Sequence, residues 1–69
     1  MSAEKIMLEA LKQRKETLKK DITFFDNEFQ EIDKDEYAMA ALGAMILTRM
    51  SENDLQLVDT LIDYFKDKV

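Results

Sequence analysis

The stretch Tyr37–Thr48, YAMAALGAMILT, carries no charged residue, although 36% of the 69-residue chain is Asp, Glu, Lys or Arg. A helix that is apolar on every side has to be covered on every side. This segment is therefore read as the buried centre of the molecule. Ala38, Ala40, Ala41, Gly43 and Ala44 leave room for close backbone approach, with Gly43 the expected packing point. Tyr37, Met39, Leu42, Met45, Ile46 and Leu47 supply the bulk. A membrane span is disfavoured: it needs about 20 apolar residues, and Asp33–Glu36 and Arg49 close in on either side.

Working outward toward the N-terminus, Ser2 is a suitable N-cap and neither Pro nor Gly interrupts the next thirty residues. A heptad register runs through Leu8, Lys15, Ile22 and Phe29 at a, with Leu11, Leu18, Phe25 and Ile32 at d. All but Lys15 are apolar. One helix over about residues 3–32 follows, roughly 45 Å long at 1.5 Å per residue. Asp26-Asn27 is its weakest point, because both residue types prefer turns.

Toward the C-terminus, Asp33-x-x-Glu36 has capping-box spacing and predicts a second helix over about 34–50. Ser51-x-x-Asp54 precedes another apolar-periodic run and predicts a third over about 52–67. That helix buries Leu55, Val58, Leu61, Ile62 and Phe65, leaving Leu57, Tyr64 and Val69 at the margins. The expectation is one all-α domain spanning 1–69, a helical bundle with no repeat and no strand alternation.

A chain this short is marginally stable alone, and the absence of Cys and His removes disulfides and the usual zinc ligands. Self-association is the remaining support. The charges choose its geometry. Parallel copies of the first helix set Arg14 against Lys19, Asp21 against Asp26 and Glu28 against Asp33, all repulsive. Antiparallel copies set Arg14 near Glu28 and Lys12 near Asp26. The expectation is an antiparallel homodimer with Leu8, Leu11, Leu18, Ile22, Phe25, Phe29 and Ile32 in its seam. A three-helix monomer is the competitor, weakened by two short helices facing one long one.

Little in the residues points to catalysis. Without His or Cys the common nucleophile–base pairs are absent, and Ser2 and Ser51 are accounted for as caps. No Gly-rich phosphate loop exists, and Asp33-x-Asp35 lacks the remainder of a calcium loop. No enzyme activity, cofactor or metal is expected. With no signal or targeting pattern, the cytoplasm is the expected location.

Binding is the function class that remains. The net charge is −5, unevenly spread: residues 1–20 carry six cations against three acids, and residues 21–36 seven acids against Lys34. Asp59, Asp63 and Asp67 recur every four residues and, with Glu28, Glu31 and Asp35, form a candidate acidic face for a basic protein partner. Such a face resembles a run of phosphates and suits a regulator or inhibitor of a nucleic-acid-handling protein. Ordinary solvation of a small bundle explains the same charges. The alternative is a structural or assembly subunit whose helices complete another bundle, with Met39, Met45 and Met50 as adaptable surface or core filler. Direct nucleic-acid binding through Lys12–Lys20 is a weaker reading, since Glu16 interrupts the cations and no aromatic lies among them.

Overall fold

The computed structural model describes residues 2–69 and contains two helices, α1 (Ala3–Glu31) and α2 (Ala38–Lys66), folded back on each other. Each is 29 residues long. Together they form an antiparallel hairpin, a rod of 52 × 14 × 13 Å. No strand occurs among the described residues.

α1 starts where the sequence indicates. The Ser2 Oγ accepts the Lys5 N–H at 3.1 Å, satisfying one of the orphan donors of the first turn. The helix runs through Asp26-Asn27 without a break. Ile22, Phe25 and Phe29 flank that point and are all partly buried, so tertiary packing outweighs a local turn preference of some tenths of a kcal/mol. Ile32 ends it in an extended conformation. Lys34 then reaches back, its Nζ donating to the Phe29 carbonyl at 2.7 Å and lying 4.4 Å from the Phe29 ring centroid. A cation here complements the negative end of the helix dipole.

The Asp33 carboxylate accepts the N–H groups of Asp35 and Glu36 at 3.0 and 3.3 Å. This pattern organises the connecting turn and does not cap a helix. α2 begins later than expected, at Ala38, behind a Tyr37 that provides no side-chain cap.

The expected division at residues 50–52 is absent: the second and third helices are one. Ser51 is 8% exposed in the interior of α2 and is no cap. The reason is register. Ala41, Ala44, Thr48, Ser51, Leu55, Val58, Ile62 and Phe65 are all buried or half-buried, at alternating spacings of three and four. A break at Ser51 would disrupt that stripe, and with neither Gly nor Pro beside it nothing forces one. A local S-x-x-D pattern is worth about 1 kcal/mol, less than the burial of even one large side chain.

A continuous α2 also removes the length mismatch that weakened a folded monomer. Every heptad position of α1, Lys15 included, is buried or half-buried. Leu8 and Leu18 form the core with Val58 and Ile62, and Leu11, Leu55 and Phe65 pack against it. The face of α1 read as a seam between copies is thus closed by α2 of its own chain. The periodicity had identified the face; it could not identify the partner.

Two expectations about the apolar stretch fail. A Cβ added at Gly43 meets nothing within 4 Å, so no backbone packs closely there. Nor is the segment covered all round: Ala41 and Ala44 are buried, whereas Met39, Ile46, Leu47 and Leu42 are 77%, 46%, 43% and 40% exposed. A hairpin offers α2 a single neighbouring helix, which covers one face.

Candidate interaction surfaces

The acidic residues do not form one continuous face. Asp59 sits beside α1, its Oδ1 2.7 Å from the Lys15 Nζ. The hydrogen bond and charge of that carboxylate raise the Lys15 pKa above its ordinary 10.5, with smaller contributions from Asp63 and Glu16. Asp63 is exposed one turn further on, and Asp67 lies past the last helical residue as the C-cap. Glu28 and Glu31 stand at the opposite end of the rod, near Asp35 in the turn. The antiparallel fold therefore separates the six residues expected to act together.

It also produces a charge gradient along the rod. The turn half, residues 21–50, carries seven carboxylates against Lys34 and Arg49, a net of −5. The open half carries eight of each sign and is neutral. The cations of Lys12–Lys20 are partly answered within the chain. Lys12 lies 3.9 Å from Glu9, Lys19 lies 3.8 Å from Glu16, and Lys15 meets Asp59.

A different surface stands out once the helices are placed. Met39, Ile46, Met50, Leu57 and Tyr64 are 77%, 46%, 57%, 65% and 57% exposed, and Leu42 and Leu61 are exposed beside them. At 3.6 residues per turn these positions share one face of α2, roughly opposite the face that meets α1. Asn53 interrupts this stripe, and Arg49 and Asp54 flank it on either side. Scattered exposed apolar residues are ordinary on a protein surface; a band of them aligned along most of one helix is not. Leu57 and Tyr64 read as marginal in sequence because a third helix beginning at Ser51 has its own register. Carrying a seven-residue step from Met50 across Ser51 to Leu57 and Tyr64 would have revealed the stripe.

No described helix is long and apolar enough to cross a membrane, so the stripe does not belong to a span. No family model, curated protein or solved structure matches this chain.

Proposed function

We propose that this chain is a non-enzymatic binding protein that works by protein–protein contact through the outer face of α2, as a subunit completing a helical bundle. The observation that carries this reading is the exposed band from Met39 to Tyr64 on a helix whose other face is already packed. Helix-to-helix docking through i, i+3, i+4 and i+7 anchors is the ordinary use of such a surface. Met39 and Met50, both exposed on it, suit that use, since flexible thioethers adapt to varied partners. Self-association through this face is part of the same reading.

The test is a photo-cross-linking side chain placed at Leu57 on the outer face of α2, with Lys20 on the exposed back of α1 as control, in cells that make the protein. Adducts are expected at Leu57 and not at Lys20. No adduct at Leu57, or equal labelling of both, overturns the reading.

A second reading is favoured by the crowding of Glu28, Glu31, Asp35 and Glu36 at the turn end, all exposed. Here the chain acts as a regulator or inhibitor that occupies the basic site of a nucleic-acid-handling protein. Asp59 is left out of that surface because Lys15 engages it. Neutralising the four turn-end carboxylates to Gln or Asn should then weaken binding, and the parent's affinity should fall steeply between about 50 and 200 mM salt. Salt-independent binding would dismiss this second reading.

A further inference from the structure

We infer that the outer face of α2 is occupied by the same face of a second copy, running antiparallel, so that two hairpins associate as a four-helix assembly. This rests on the docking role proposed above and names its occupant.

Area is the first argument. A compact 8.1 kDa protein should expose about 4,500 Å². The hairpin exposes 5328 Å², an excess of about 800 Å², which is what each partner of a standard interface buries. The shape agrees. A compact 69-residue chain should have a radius of gyration of about 11 Å, and the hairpin has 15.7 Å. A second rod laid alongside thickens the particle without lengthening it.

The stripe is also self-complementary. A two-fold interface requires that if position i meets j, then j meets i. About a dyad between Ser51 and Glu52, Met39 faces Tyr64, Leu42 faces Leu61, Ile46 faces Leu57 and Met50 faces Asn53. Six of the seven apolar members thus face another apolar member, and Met50 faces the Asn53 that interrupts the stripe. A foreign partner requires no such symmetry of spacing. Asn53 of each copy falls close to the dyad, where one polar residue in an apolar seam fixes register.

Charge sets the direction. Parallel stacking would bring two turn halves of net −5 side by side, whereas antiparallel stacking places each against a neutral open half. Opposed helix dipoles favour the same direction.

The chain has no cysteine, so single-cysteine variants report cleanly. Sedimentation equilibrium of the parent at micromolar concentration should give twice the 8.1 kDa chain mass. Across an antiparallel dyad the two copies of position 46 lie eleven residues apart along the axis, about 16 Å, and cannot be bridged. Ile46→Cys and Leu57→Cys should therefore each fail to cross-link alone on oxidation, yet form a mixed 46–57 disulfide when combined and exchanged. Leu57→Asp, on an exposed position, should remain helical and sediment as a monomer.

An Ile46→Cys variant that cross-links to itself overturns the antiparallel arrangement. A monomeric parent that still gives foreign-protein adducts at Leu57 overturns the second copy while leaving the docking role intact. A monomeric parent that instead floats with phosphatidylcholine vesicles assigns the face to a lipid surface and overturns both. A Leu57→Asp variant that still dimerises places the contact elsewhere.

Discussion

Gly43 and the Lys15–Asp59 pair respond to single substitutions in ways that separate local from tertiary effects. The open space around Gly43 means that Gly43→Ala adds helix propensity without a clash. Its expected effect is a gain of up to about 1 kcal/mol, read from urea denaturation. Lys15 occupies a heptad position yet is stabilised by the Asp59 carboxylate. Its folded-state pKa is raised above 10.5, so the stability it contributes is present below that value and lost as pH rises through the folded pKa. Asp59→Asn should therefore melt below the parent at neutral pH. The gap should close as pH climbs past 10.5, as a series of thermal melts will show; a gap that persists at alkaline pH would mean that Asp59 acts by packing.

At the scale of the element, Ser51 decides whether the C-terminal half is one helix or two. Were it an N-cap, Ser51→Ala would cost about 1 kcal/mol. In the middle of α2 the same change removes a weaker helix former, and a neutral or slightly stabilising result is expected, within about 0.5 kcal/mol. Circular dichroism and chemical denaturation of this one variant test the sign. Leu18 is the reference for how strongly the helices hold each other. At 2% exposure it is the most deeply buried large side chain, and Leu18→Ala should cost about 2–5 kcal/mol, a large share of what so small a fold possesses.

For the molecule as a whole, the location of the α1 seam inside the chain changes what disrupting it does. Leu18→Glu buries an unpaired charge between α1 and α2 and should unfold the chain, giving loss of helical signal. It should not release folded monomers. Self-association through α2 makes a separate prediction: the melting temperature of the parent should rise with protein concentration, and that of Leu57→Asp should not. A parent whose melting is independent of concentration would leave the hairpin stable on its own, with its outer face open to other partners.

The all-helical class, the N-terminal cap, the length of α1 and the inward face of α1 were all determined by the sequence by itself. Each depends on interactions between residues within a few turns of one another: hydrogen bonding at Ser2, the three-and-four spacing from Leu8 to Ile32, and the absence of Pro. Tertiary structure decided the rest. A heptad stripe is equally satisfied by a second copy or by α2, since an apolar side chain gains as much from either neighbour. Ser51-x-x-Asp54 is a valid local start signal that loses to a register extending from Ala41 to Phe65. The two acidic clusters, Glu28–Asp35 and Asp59–Asp67, were expected to act as one face, yet the fold puts them in opposite halves of a 52 Å rod. The outer band of α2 emerged only once one helix had been assigned to one face, because exposure is what remains after packing is complete.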